Sequence, residues 1–285
     1  MVAAPLPWFG GKRRLAPWII PHFPAHTTYV EVFGGSAAVL FAKPPSALEI
    51  YNDLDSELVH FFRVLRDPVL AAELAERLAW TPYSREEWRT CLTQLRAGEE
   101  VDDVERARRW FVAVAQSFSS NVTSGSWRHS VGPGGHAARA FRHAAERLMQ
   151  LRGRLAQVQI EHLDFAQVVA VYDAPHTLFY CDPPYVPTTR RQGRYRHELT
   201  LADHERLVDL LLGCQGQVVV SGYASALYQQ RLGQWTRYQR EVPCPAAGHT
   251  RETGLQGRDG AGDQRRVECL WVKPAVRGYS LWEAT

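Results

Sequence analysis

The sequence is nearly without lysine: of 33 basic residues, only Lys12, Lys43 and Lys273 are not arginine. Arginine codons are GC-rich and lysine codons AT-rich, so the bias reads first as genome composition and second as selection for the guanidinium fork that grips phosphate. No run approaches the ~20 apolar residues that a bilayer-spanning helix needs. Met1 to Trp8 shows no basic stretch followed by an apolar one, so no secretory signal is read there. The expectation is a cytoplasmic protein with no membrane partner. Five cysteines (Cys91, Cys181, Cys214, Cys244, Cys269) are an odd number, and none forms C-x-x-C. That argues against a disulfide framework or a zinc knuckle and for buried thiols in a reducing compartment. His22 and His26 have helical spacing, but Pro24 between them breaks a helix and no third ligand is near, so no metal is expected. Internal repeats and low-complexity tracts are also absent. What remains, at 45% hydrophobic and 22% charged over 285 residues, is a globular chain with room for one large core and a subdomain, or for two modest domains.

The net charge of +3 is unevenly spread. Residues 106 to 160 hold nine arginines (Arg106, Arg108, Arg109, Arg128, Arg139, Arg142, Arg147, Arg152, Arg154) against one acid, Glu146, so this segment carries +8 and the remainder −5. A basic segment in an acidic remainder is the footprint of a polyanion-binding face. The alternative is a set of solvated helix faces.

Thr28 to Phe33 is β-branched and aromatic and reads as a buried strand, followed by Gly34-Gly35-Ser36 and a helix-like Ala37 to Ala42. A second strand, Ala47 to Asn52, ends at Asp53, and Asp55-Ser56 caps a helix with Leu58, Val59, Phe62 and Leu65 on one face. Two strand–helix units predict a parallel α/β sheet. Pro68 to about Gln157 is helical, with Ser84 and Glu87 as a capping signature. It is interrupted by the polar, glycine-rich Ser117 to Gly135, a loop or irregular hairpin carrying Asn121, Trp127, Arg128 and His129. Strands return at Val158 to His162, Thr177 to Cys181, Gln217 to Ser221, Trp235 to Val242 and Val267 to Val272. A helix, Leu201 to Leu212, is capped by Thr200, and Cys244 to Arg266 reads as a loop. Residues 1–67 and 158–285 thus form one discontinuous α/β domain, and 68–157 a helical, basic insert.

The most specific string is Asp182-Pro183-Pro184-Tyr185, which follows a buried strand. In open α/β sheets ligands bind off the carboxyl ends of strands, where Asp182 falls. Two prolines remove backbone donors and fix a rigid turn whose carbonyls accept. One carboxylate, those carbonyls and the aromatic face of Tyr185 suit a planar group bearing an exocyclic amine. The plain alternative is a Pro-Pro turn with a capping Asp.

D-P-P-Y resembles motif four of the amino-methylating DNA methyltransferases. The order of the other pieces resembles the Dam-type DNA adenine-N6 methyltransferases in particular. An N-terminal W-x-G-G-K is matched by Trp8-Phe9-Gly10-Gly11-Lys12, and F-x-G-x-G in part by Phe33-Gly34-Gly35-Ser36-Ala37, where Ala37 replaces the last glycine. Asp53 matches the acidic residue ending the second strand, and Asp164-Phe165 the D-F pair. The aromatic-Asn-Gly segment of the family has no clean copy; Phe118-Ser119-Ser120-Asn121 stands near its place.

The resemblance implies a Rossmann-like methyltransferase sheet, S-adenosylmethionine as methyl donor without a metal, and DNA as partner, with a restriction endonuclease partner left open. By resemblance, Trp8, Gly10, Gly11 and Lys12 hold the methionine end, with Lys12 on its carboxylate. Phe33 and Gly35 line the same pocket, Asp53 accepts from the ribose hydroxyls, Asp164 and Phe165 meet the cofactor adenine, and Asp182 also belongs to the cofactor-binding set. Asp182 and the Pro183 carbonyl accept the two amine hydrogens and so orient the nitrogen lone pair, with Pro184 stiffening the turn. Tyr185 stacks on the flipped base. Arg106, Arg139 and Arg142 are expected on phosphates, and Asn121, Trp127 and Arg128 toward bases. Cytosine-N4 methylation, a DNA-binding regulator with a degenerate pocket, and a dinucleotide oxidoreductase are the rivals. The last is weakened because Gly34-Gly35 is not G-x-G-x-x-G.

Overall fold

The computed structural model describes residues 11–120, 122, 126–130, 136–186, 196–243 and 265–274. Trp8, Gly10, Asn121, Cys244 and most of the basic stretch after Tyr185 lie outside these residues. Seven strands form one sheet: β1 (Thr28–Glu31), β2 (Leu48–Asn52), β3 (Val158–Glu161), β4 (Thr177–Cys181), β5 (Gln217–Tyr223), β6 (Thr236–Pro243) and β7 (Arg265–Val272). Their order is β3-β2-β1-β4-β5-β7-β6. The first five are parallel, and β7 runs antiparallel between β5 and β6.

The eleven helices described are α1 (Ala16–Ile19), α2 (Ala38–Ala42), α3 (Ser56–Arg66), α4 (Pro68–Trp80), α5 (Arg85–Ala97), α6 (Asp103–Gln116), α7 (Ala137–Glu146), α8 (Leu148–Leu155), α9 (Phe165–Tyr172), α10 (Leu201–Gly213) and α11 (Ala226–Arg231). The period-two alternation of the strands sorts them onto two faces. Tyr29, Tyr51, Tyr180, Val219 and Leu270 point into a core shared with α2, α3, α4, α6, α7 and α8. Val30, Ile50, Phe179, Val220 and Trp271 point into a second core with α9, α10 and α11. The insert shares the first core, since Trp110 and Phe111 of α6 pack on Phe61 of α3 and are buried there, and it adds a small cluster of its own around Trp88, Leu92 and Ala113.

Several helix starts are dictated locally. Asp55 accepts from the Glu57 and Leu58 N–H groups, Ser84 from those of Glu86 and Glu87, and Thr200 with Asp203 closes a reciprocal capping box. The charge expectation for residues 106 to 160 is modified by acids beyond that window. Arg106 pairs with Glu57, Arg108 with Glu87 and Glu105, Arg109 with Glu99 and Glu105, and Arg154 with Glu49. Counting within 106–160 misses these acids because all of them precede it in sequence. Arg139 and Arg142 are exposed on α7 with no ion pair among the described residues.

Candidate active site

The strand order runs outward in opposite directions from β1 and β4, which are parallel neighbours, and at such a switch point a crevice opens at the carboxyl ends. That cleft is lined by Lys12, Glu31, Phe33, Gly35, Asn52, Asp53, Phe165, Asp182 and Pro184. Asn52 stitches its rim: its amide donates to the carbonyls of Val32 and Leu163 and accepts from the Leu163 N–H.

The glycine turn after β1 is held by Asp53, whose two carboxylate oxygens accept from the N–H groups of Gly35 and Asp55, each at 2.8 Å. Burial pushes the Asp53 carboxyl up, against the pull of those two N–H groups. Gly34 lies flat against the Tyr51 ring, where a Cβ would stand 2.2 Å from a ring carbon. Gly35 (φ 49°) and Ala37 (φ 54°) both adopt the left-handed conformation. At position 37, where Ala37 replaces the last glycine of the motif, the backbone itself asks for glycine. Glu31, which the sequence analysis did not single out, ends β1 with its carboxylate accepting from Tyr29 Oη (3.2 Å) and the Leu40 N–H (2.9 Å). Burial pushes it up to about 8 in spite of those bonds.

At the end of β4, Asp182 Oδ1 takes both the Lys12 ammonium at 2.7 Å and the Ser221 hydroxyl at 2.8 Å. Ser221 is in turn bonded to Tyr180 Oη at 3.0 Å. Both of these contacts fall on Oδ1, and Oδ2 receives no bond from any described residue. Lys12 differs from its sequence expectation. Its buried ammonium also lies 3.3 Å from Glu268 Oε1 and donates to Tyr185 Oη at 2.8 Å, so its three hydrogens have partners within the protein. Burial disfavours that cation, yet Asp182 and Glu268 outweigh the penalty and hold its pKa well above the ordinary lysine value. Tyr185 donates to Glu268, and its ring lies 4.2 Å from that of Tyr223.

Glu268, Ser221, Glu31 and Asn52 were missed because they belong to no string. Glu268 reaches the site only through the antiparallel pairing of β7 beside β5. Phe165 lines the cleft. Asp164, in contrast, is the N-cap of α9 and pairs with Arg206 at 3.0 Å, outside the cleft lining. In the insert, Trp127 donates to Gln116 Oε1 (3.3 Å) and packs on Tyr83, a pillar of the hairpin base. The Arg128 backbone is fixed at both ends, its N–H on the Gln116 carbonyl and its carbonyl on Tyr83 Oη. Among the described residues no cluster of three His, Cys, Asp or Glu could hold a metal ion.

This sheet order, with the inserted antiparallel strand and a D-P-P-Y turn at the switch-point cleft, defines a Rossmann-like methyltransferase. The family model for D12 class N6 adenine-specific DNA methyltransferases matches residues 8–236, and the chain belongs to that family. It is similar to a DNA N-6-adenine-methyltransferase of Escherichia phage P1, 25% identical over 209 residues that cover 72% of this chain and 27% of the relative. It is also similar to the Type II methyltransferase M1.LlaDCHI of Lactococcus lactis subsp. cremoris, 28% identical over 238 residues that cover 79% of this chain and 82% of the relative. The chain thus spans about a quarter of the phage relative's length.

Proposed function

We propose that the chain methylates the 6-amino group of adenine in DNA, using S-adenosylmethionine. The observation that carries this reading is the Asp182 carboxylate, held by Lys12 and Ser221 through one oxygen with the other left for an amine at the cleft. The donor set fits the cofactor's charge: Asp53, Asp55 and Asp182 place carboxylates along the cleft for a cation, and Phe33, Leu163, Phe165 and Pro184 offer apolar walls for its adenine. When bound, S-adenosylmethionine supplies an activated methyl group on a sulfonium. Asp53 and the Gly35 turn would hold its polar end.

The chain's own contribution is positional and electrostatic. An aromatic amine is a poor nucleophile because its lone pair is delocalised into the ring. Asp182 Oδ2 and the Pro183 carbonyl accept the two N–H hydrogens, which draws the lone pair out of conjugation with the ring, localises it on nitrogen and orients it. Pro184 keeps that turn rigid, and Tyr185 walls the pocket for a base swung out of the duplex. Residues 68–157 act as the recognition unit in this reading, with Arg139 and Arg142 on phosphates and Arg128 toward base edges, together with Asn121, which lies outside the described residues. Arg106 is committed to Glu57, so the phosphate role rests on the α7 arginines.

Asp182→Ala tests the reading. Transfer of a labelled methyl group to DNA should fall by about two to three powers of ten in kcat, with cofactor affinity by calorimetry within about twofold. Activity near that of the native protein would overturn it.

A further inference from the structure

Glu268 lies outside every motif in the sequence, yet its side chain is 1% exposed and shares the Lys12 ammonium with Asp182. Lys12 Nζ is 2.7 Å from Asp182 Oδ1 and 3.3 Å from Glu268 Oε1, and Tyr185 Oη bridges the same two partners, at 2.8 Å from Lys12 and 3.2 Å from Glu268 Oε2. A lysine alone beside Asp182 would draw that carboxylate's charge to itself and weaken it as an acceptor. A second carboxylate competing for the same ammonium limits that pull.

We propose that Glu268 is a positioning residue for methyl transfer, which divides the charge of Lys12 so that Asp182 keeps its strength toward the amine. This rests on the proposed role of Asp182. It makes charge, rather than shape, the property that matters at position 268. Glutamine preserves the shape and an acceptor oxygen for Lys12 but loses the charge, whereas aspartate keeps the charge and shortens the reach.

The test compares Glu268→Gln and Glu268→Asp in the full chain, with S-adenosylmethionine affinity by calorimetry and kcat and KM for DNA methylation. Glu268→Gln should lose about tenfold or more in kcat, with KM for DNA and cofactor affinity within about twofold, and Glu268→Asp should recover most of that loss. A Gln variant as active as the native protein, or more active than the Asp variant, would overturn the proposal. Loss of cofactor binding together with folding in the Gln variant would make Glu268 a structural partner of Lys12 and overturn it as well. Asp182→Ala, run in parallel, separates the two readings. If it stays active, the methyl-transfer role of Asp182 fails; if it is inactive while Glu268→Gln is unaffected, only the role of Glu268 fails.

Discussion

Two side chains near the glycine turn show how single positions carry measurable cost. Ala37 is fully buried with φ 54°, a left-handed conformation that an alanine pays for with Cβ–carbonyl crowding. Ala37→Gly should stabilise the fold by about 1 kcal/mol, because relief of that crowding outweighs the entropy that glycine adds to the unfolded chain. Chemical denaturation checks this, and an unchanged or lower midpoint would contradict it. Glu31 is the second case. Its carboxyl titrates at about 8 in the folded protein against 4.5 ordinarily, so the folded state binds this proton more tightly than the unfolded chain. The stability it contributes is complete below about pH 4.5 and is lost as pH rises through about 8. Glu31→Gln stays neutral throughout. Relative to the native protein, its stability should rise by about 2–4 kcal/mol between about pH 5 and about pH 9. Denaturant midpoints followed across that range decide the matter, and parallel pH profiles would show that Glu31 is not the titrating group.

Among the elements, the insert helices divide between holding the fold and facing outward. On α7, Arg139 and Arg142 are exposed with no ion pair among the described residues, whereas Arg106 on α6 is bidentate to Glu57. Removing either α7 arginine should reduce the slope of log affinity against log salt by about 1, alike for all DNA sequences, and Arg106→Ala should leave the slope unchanged while lowering stability. Equal slopes for all three variants would put the phosphate face elsewhere. At the hairpin base Gln116 is fully buried and serves three partners: the Ser84 N–H, the Trp127 indole and the Pro82 carbonyl. Gln116→Ala would leave those groups unpaired and should cost about 1–3 kcal/mol. The positions of the strands and the long helices were legible in the sequence because alternation, capping residues and turn glycines are local signals. β4 was read to the residue, and α10 with its Thr200 cap to within one. The helix α9 was not foreseen, since Asp164-Phe165 was read only as a binding pair and not as an N-cap opening a helix. The partners of Arg106 and Arg154 were hidden for the opposite reason, because Glu57 and Glu49 are distant in sequence and adjacent only after folding.

Across the whole molecule, the helices of residues 68–157 and the sheet share a core, and a buried ionic contact reinforces the join. Arg154 from α8 pairs with Glu49 on β2, which also takes the Lys43 ammonium at 2.7 Å. Arg154→Ala would leave that buried carboxylate with only Lys43 and the Ser46 N–H, both on its other oxygen, and should cost about 3 kcal/mol. A single cooperative transition by calorimetry, moved downward as a whole in this variant, is the expected result; separate transitions for insert and sheet would contradict it. The D-P-P-Y half of the site was legible in the sequence, but its arrangement around Lys12 was not, because that arrangement depends on β7. This strand enters the sheet between β5 and β6, and it alone brings Glu268 to Lys12. The consequence concerns synthesis. A ribosome that has just emerged past β6 has already made Lys12, Asp53, Asp182 and Tyr185, all the motif residues of the cleft, yet the inner strand that completes the constellation is still to come. Nascent and prematurely terminated chains would therefore carry every recognisable motif while lacking the assembled site, so the Lys12 constellation closes only once the last strand of the sheet is in place.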